Sequence, residues 1–402
     1  MHDAIDVAGF WAGFRLIETR SLSATHLLVR LEPDERTDPR CGRCLAPCGL
    51  VHDRSVRRVR ERDLFDQQVW LEVPLRRVVC LACGVSTEHV PWLPARSRLT
   101  ARLIAHVEVL LRLLPLLHIS QLTGLHWHTL RAIDARRLAR EVPPPDLSRV
   151  RRLVMDEFAL FKGHRYATVA ICADTRQVLW VGEGRSRKEI RPFFEMLGPA
   201  VCAHIEAVAM DMNTAFDLEV KAHCPHARVV YDLFHVLAKF GREVVDRVRV
   251  DQAHALKADP AARRVIKRSR WLLLRHRGNL TGEQALKLDD LLAVNAPLMT
   301  VYLLKTQLKE LWYAPNEQQA QLRWYEWQQL ALQSGLKPVV AFAKRLSGYV
   351  EGIVASAIYR LNTSVLEGIN HRIKVIKRMA YGYRDTDYFF LKIKAAFPGK
   401  AR

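Results

Sequence analysis

RLVMDEFAL (residues 152–160), YATVAICA (166–173) and VLWVG (178–182) are short runs rich in β-branched and aromatic residues, separated by brief turns. They read as three consecutive antiparallel strands. Lys188 to Leu197 then has a helical pattern, Ile205 to Met210 (IEAVAM) a strand pattern, Thr214 to Ala222 a helical one, and Arg228 to Asp232 (RVVYD) closes the series as a strand.

Three strands, then helix, strand, helix, strand is the order of a ribonuclease-H-like domain, a mixed sheet with helices on both faces. Asp156 and Asp211 stand in or beside these strands where apolar residues are expected. Burying a bare carboxylate is costly, so two such departures in one sheet imply a cation between them. Glu157 adjoins Asp156, and strand side chains alternate, so only one of the pair faces the site; periodicity does not choose between them. Asp211 also admits a plainer reading, as an acid at the start of the helix that Asn213-Thr214 would cap. Asp232, three residues before His235, reads either as a strand-end cap or as an auxiliary group of the site; His235 would orient it or a group of the scissile strand, or simply pack against the acid at the strand end. Asp174 reads as a turn residue.

Downstream, Phe240 to Ala343 is helical and rich in Leu, Lys, Arg and Gln, an all-α insertion into the sheet domain. Its Trp271, Trp312, Trp324 and Trp327 sit at helical spacing, as core residues do, although exposed aromatics there would stack on splayed bases. The domain resumes at SVLEGINHRIKVIKRMAYGY (364–383). There Glu367, Asn370, His371, Lys374 and Arg378 recur at helical spacing, so one helix face carries an acid followed by a basic ladder. A solvated mixed-charge face is the plain alternative, and a metal-holding acid among phosphate-holding cations the functional one. From Arg360 onward there are ten Lys or Arg against Glu367, Asp385 and Asp387, which makes the end of the chain strongly basic.

Upstream, residues 14–32 have the pattern of a β-hairpin around a Ser/Thr-rich turn. Cys41-Gly-Arg-Cys44 and Cys80-Leu-Ala-Cys83 are two CxxC knuckles, the ligand set of a zinc-ribbon-like structural site, with Cys48 and His52 as spare candidates. Unrelated reduced cysteines are the alternative. Arg54, Arg57, Arg58, Arg60, Arg62, Arg76 and Arg77 crowd the same segment and place it near DNA. Residues 100–141 read as helices broken at Gly124, a helix-turn-helix that would offer Arg131, Arg136, Arg137 and Arg140 to DNA; a plain helical hairpin fits the same pattern. Pro143-Pro144-Pro145 marks a linker. The expected divisions are residues 1–95 (zinc-binding), 96–148 (helix-turn-helix), 149–240 (first part of the catalytic domain), 241–344 (helical insertion) and 345–402 (second part).

The whole chain of 402 residues carries 62 Lys and Arg against 42 Asp and Glu, a formal charge of +20 that calls for a polyanionic partner. Residues 1–150 hold 22 Arg and no Lys, a bias that either bidentate phosphate and guanine recognition or a GC-rich coding sequence would produce. The first residues, MHDAIDVAGFWAGF, carry acids where a signal peptide has cations, and the longest apolar run (103–119) is interrupted by Glu108, Arg112 and Pro115. Secretion and membrane insertion are not expected, and a cytoplasmic, nucleoid-associated protein is. No internal repeat stands out.

Six blocks in order, RCGRC with RRVVCLACG, LTGLHWHTLRAID, VMDEFALFKGHRYATVAICAD, AVAMDMNTAF, VVYDLFHV and LEGINHRIKVIKRMAYGYRD, resemble the ISL-three family of bacterial insertion-sequence transposases, in the DDE superfamily. The resemblance spans nearly the whole chain. It implies a catalytic triad of Asp156, Asp211 and Glu367 holding two Mg²⁺ ions, with Mn²⁺ as a substitute, and phosphate contacts from His371, Arg372, Lys374, Lys377 and Arg378. It further implies cleavage at terminal inverted repeats, strand transfer into target DNA, and a homodimer or larger assembly on double-stranded DNA. Leu233 stands where the family has a basic residue, and Ser364-Val365 where it has Asn-Gly. Those departures keep open a catalytically inactive, domesticated DNA-binding regulator.

Overall fold

The computed structural model of the chain describes residues 8–361 and 364–399, with side chains from 9 to 361 and from 368 to 399. The chain divides into two compact units, Met1–Glu141 and Val142–Arg402.

The first unit is built on strands β1 (Phe14–Ser23), β2 (His26–Pro33), β3 (Val51–Arg60), β4 (Gln68–Cys80) and β5 (Gly84–Thr87), in the order β1-β2-β4-β3 with β5 also on β4. β1 and β2 form the expected antiparallel hairpin. Central β4 alternates as a half-buried strand does: Val69, Leu71, Val73 and Leu75 point inward to meet Val29, Leu31, Val59 and Trp92. Two arginines of the crowded segment are buried. Arg76 donates from Nε to Glu88 Oε2 at 2.8 Å, and Arg60 pairs with Asp63 and donates to the Val69 carbonyl at 3.3 Å. A buried guanidinium is tolerated only when its donors are satisfied in this way, so these two hold the sheet.

Three helices follow: α1 (Ala101–Leu113), α2 (Leu116–Thr123) and α3 (Trp127–Glu141). Thr100 caps α1 by accepting from Leu103 N, and Gly124 ends α2 in the left-handed region at φ +67°, where glycine costs least. Leu103, Val107, Leu111, Ile119, Leu130 and Ile133 make their common core.

In the second unit β6 (Arg152–Phe161), β7 (Arg165–Cys172), β8 (Val178–Glu183), β9 (Ala207–Met210) and β10 (Arg228–Tyr231) lie in the order β10-β9-β6-β7-β8. β6, β7 and β8 are antiparallel neighbours, while β9 and β10 run parallel to β6. Helices α4 (Arg187–Cys202) and α5 (Thr214–His223) cover one face. A capping box of Ser186 and Glu189 starts α4, and its non-helical break at Gly198 (φ +73°) follows directly on the expected end at Leu197. Leu153 and Met155 of β6 pack there with Phe193, Phe194 and Phe216. The opposite face, with Val154, Phe158 and Leu160, is covered by α16 (Ser364–Met379) and α17 (Thr386–Ala396) through Ile369, Ile373, Phe389 and Ile393.

Between the two parts, α6 (Leu233–Phe240) leads into α7 (Asp246–Ala255), α8 (Pro260–Arg268), α9 (Arg270–Leu274), α10 (Gly282–Val294), α11 (Ala296–Glu310), α12 (Glu317–Gln333), α13 (Lys337–Leu346), α14 (Val350–Val354) and α15 (Ser356–Tyr359). Trp324 and Trp327 are buried as expected, Trp327 Nε1 donating to the Leu304 carbonyl at 2.9 Å. Trp312 Nε1 ties the insertion to the sheet through the Tyr231 carbonyl at 3.1 Å. Trp271 departs from the expectation: it is 64% exposed. Among the described residues no helix is long and apolar enough to cross a membrane.

Glu219 of α5 is fully buried and binds Arg187 (2.8 Å), Arg191 (3.1 Å) and His223 (3.3 Å), locking α4 to α5. Its hydrogen bond to Arg191 leads the interactions that hold its carboxyl down at about 2. A depressed carboxyl stabilises the fold above its unfolded value near 4.5 and loses that contribution as pH falls through about 2. Glu219→Gln is therefore expected to lower unfolding stability by about 3 kcal/mol at neutral pH. In urea titrations the gap between the two proteins should narrow below about pH 4.5.

Candidate active site and metal centre

Asp156 lies mid-strand in β6, opposite Val169 of β7. It shares the α16 face with Val154 and Phe158, while Glu157 turns the other way and meets Arg185 at 2.7 Å. One Asp156 oxygen accepts from the backbone N–H of Glu157 at 2.7 Å. The other accepts from Nδ2 of Asn370 in α16 at 2.6 Å. Burial is the main reason its carboxyl rises to about 6, with the neighbouring charge of Asp211 acting in the same direction.

Asp211 directly follows β9. It does not cap α5; Asn213 does, accepting from Ala215 N. Its carboxylate instead accepts from Met212 N at 2.6 Å and faces His235 Nδ1 at 2.9 Å. Burial raises the Asp211 carboxyl, but the hydrogen bond and charge of His235 outweigh it and the net direction is down. The same hydrogen bond raises His235. Asp232 caps α6, accepting from Phe234 N, and its other oxygen lies 3.9 Å from His235 Nε2. His235 thus stands between two acids, nearer to Asp211 than to Asp232. Its tie to Asp211 has no signature in the sequence.

Glu367 belongs to α16, one turn before Asn370, and its side chain lies outside the described residues. α16 turns Ile369 and Ile373 to the sheet and leaves His371, Arg372, Lys374 and Arg378 exposed. Lys377 is half-buried and donates to the Ala159 carbonyl at 3.1 Å. Among the described residues Asn370 Oδ1 is buried without a hydrogen-bond partner, and its Nδ2 lies on the Asp156 carboxylate. Such a donor set fits hard divalent cations.

In the first unit the Sγ atoms of Cys41, Cys44, Cys80 and Cys83 all lie within 4.8 Å of one another, a set compatible with structural zinc, whose tetrahedral bonds of about 2.3 Å put sulfurs roughly 3.8 Å apart. Ser86, hydrogen-bonded to Cys41, holds that thiol down at about 6, while the Cys44 contact pushes Cys83 up to about 12. Cys48 bonds the Ala46 carbonyl and His52 bonds Asp53, both outside the set.

The helix-turn-helix arginines differ in placement. Arg137 is buried on Asp134 and Glu141, Arg140 reaches Glu108 at 2.7 Å from an exposed position, Arg136 is exposed and Arg131 half-buried. His126, Trp127 and His128 are exposed at the start of α3 with stacked rings, Trp127 on His128 at 3.8 Å. Helical periodicity alone would put Trp127 in the core, and the structure leaves it outside.

Residues 153–393 match the ISL3-type DDE family described as Transposase, and residues 88–138 match the helix-turn-helix domain of transposase family ISL3. The chain is 50% identical over 397 residues, 98% of each partner, to the transposase for insertion sequence element IS1001 of Bordetella parapertussis. It is 27% identical to the transposase for insertion sequence element IS1557 of Mycobacterium tuberculosis, over 89% of this chain and 85% of that one.

Gly42, inside the first knuckle, donates to the Thr87 carbonyl at 3.1 Å, and a Cβ there would lie 2.3 Å from that oxygen. Gly42→Ala is expected to force the knuckle off β5 and cost about 1–3 kcal/mol. Limited proteolysis should show faster cleavage between residues 40 and 90 than in the parent protein.

Proposed function

The chain belongs to the ISL3 family of DDE transposases, and from that membership we propose that it cuts the terminal inverted repeats of its insertion sequence and joins them to target DNA. The observation that carries this reading is the meeting of Asp156, Asp211, His235 and Asn370 at one point of the sheet. The strand order β10-β9-β6-β7-β8 supports a ribonuclease-H-like catalytic domain, split at 149–240 and 345–402 around the helical insertion 241–344 and preceded by a zinc-binding domain (1–95) and the helix-turn-helix (96–148).

Asp156, Asp211 and Glu367 would hold two Mg²⁺ ions, or Mn²⁺ in their place. When bound, the pair supplies an activated nucleophile, water or a 3′-hydroxyl, and charge stabilisation on the attacked phosphodiester. The protein's own part is positional. Asn370 fixes the Asp156 carboxylate, and His235 fixes Asp211 while balancing its charge and that of Asp232. His371, Arg372, Lys374, Lys377 and Arg378 would grip phosphates beside the cut. Arg131, Arg136 and Arg140 would hold the duplex, with Arg137 maintaining α3. The four cysteines would carry one structural zinc. Two DNA ends must be brought together, which calls for a dimer or larger assembly on DNA in the cytoplasm, at the nucleoid. Acids held in place by long-range hydrogen bonds favour an enzyme over a DNA-binding relic.

Asp211→Asn is expected to reduce Mg²⁺-dependent nicking of an inverted-repeat duplex by on the order of 10⁴-fold and leave gel-shift affinity for that duplex unchanged. Asn370→Ala should weaken Mn²⁺ binding by about 10- to 100-fold in calorimetry. Its thermal unfolding should fall by only a few degrees, the loss of about one hydrogen bond to a partly buried carboxylate.

A further inference from the structure

The segment 257–279 of the helical insertion carries eight cations, Lys257, Arg263, Arg264, Lys267, Arg268, Arg270, Arg275 and Arg277, against the single acid Asp259. That acid is occupied: its carboxylate caps α8 by accepting from Ala261 N and Ala262 N. Ser269, between α8 and α9, keeps helical backbone angles (φ −77°, ψ −3°), so the two helices continue one another. Arg264, Lys267, Arg268 and Trp271 then follow at i, i+3, i+4 and i+7, on one face, and all four are exposed. Ile266, Ser269 and Leu273 point the other way and are buried.

This face is held in place. Arg270 donates through Nε to both oxygens of Asp246 and lies 4.9 Å from the Trp271 ring centre. Lys305 donates to the Leu273 and Arg275 carbonyls, closing the end of α9, and Arg249 donates to the Lys267 carbonyl. Three other cations are thus used as internal fasteners. Among the described residues, Arg264, Lys267 and Arg268 have no carboxylate partner. An exposed indole held among cations that have no carboxylate partner suits a ligand offering phosphates and a flat aromatic face.

We propose that the Arg264–Trp271 face binds DNA at a strand end or overhang, the cations on consecutive phosphates and Trp271 stacked on an unpaired base. Internal base pairs of a duplex hide their faces, so the indole selects DNA whose terminal bases are free. The assignment rests on the chain acting on DNA, and it adds to the insertion a surface for the cut product built from residues other than those of the Asp156 site.

The test uses the full chain without added Mg²⁺, so that binding is read without cleavage. The probes are a blunt 40-base-pair duplex and the same duplex with a four-nucleotide 3′ overhang. Arg264→Gln/Lys267→Gln/Arg268→Gln is expected to flatten the dependence of log affinity on log salt by about 2–3 on both probes, about 0.9 for each phosphate no longer neutralised. Trp271→Ala should leave that slope unchanged and lose affinity about tenfold on the overhang probe alone. Asp211→Asn should alter neither readout, which separates this surface from the proposed catalytic site. Unchanged slopes in the triple variant, or an overhang preference that survives Trp271→Ala, overturn the assignment. So does a triple variant whose only change is in the sedimentation of the free protein, which would make the face a protein contact.

Discussion

Two carboxylates forced into partial burial on neighbouring inner strands of one sheet are the constraint on which the second unit depends. Asp156 is carried in by β6 and Asp211 by the end of β9, and neither strand can move without dismantling the parallel pairing of Leu153 with Val208 and Val154 with Ala209. Left alone, the acids would repel and resist losing water. The fold answers with an amide on one, Asn370, and an imidazole on the other, His235. Those two helpers come from α6, which leads into the insertion, and from α16, which follows it in the chain. The helical insertion can therefore be long without loosening this point of the sheet, because helices before and after it each hold one of the two acids.

The first unit solves a different problem with similar means. Its sheet is small, and its cysteine corner is shaped by backbone closeness at Gly42 and by the Arg76–Glu88 ion pair, whose burial is sustained by bonds to Arg76 N and to the Thr37 carbonyl. The arginine-rich composition of this half is thus divided between inward cations that maintain geometry, such as Arg60, Arg76 and Arg137, and outward ones such as Arg54, Arg58 and Arg136.

The strand and helix order of the second unit is legible in the sequence because its runs of apolar and β-branched residues are separated by clear turns. The choice between Asp156 and Glu157 is not. β6 is covered by helices on both faces, so its apolar residues fill odd and even positions alike and alternation carries no signal. β3 is hidden because VHDRSVRRVR is dominated by arginine and has no apolar run; its neighbour β4 supplies the burial. The link from His235 to Asp211 spans 24 positions between separate strands' ends, beyond any local periodicity. Asn370 lies on the helical face that starts at Glu367, and a polar residue bordered by Ile369 and Ile373 is the available hint of an inward hydrogen bond. Trp271 has the spacing of a core residue, yet the same spacing places it among Arg264, Lys267 and Arg268, and the company of cations is the stronger sign.

The central claim is that Asp156 and Asp211 share divalent cations. Anomalous diffraction from crystals soaked in Mn²⁺ tests it most directly. The account predicts a peak within coordination distance of both carboxylates, about 2.0–2.2 Å from their oxygens; density with no such peak, or Mn²⁺ bound only elsewhere on the protein, would contradict it.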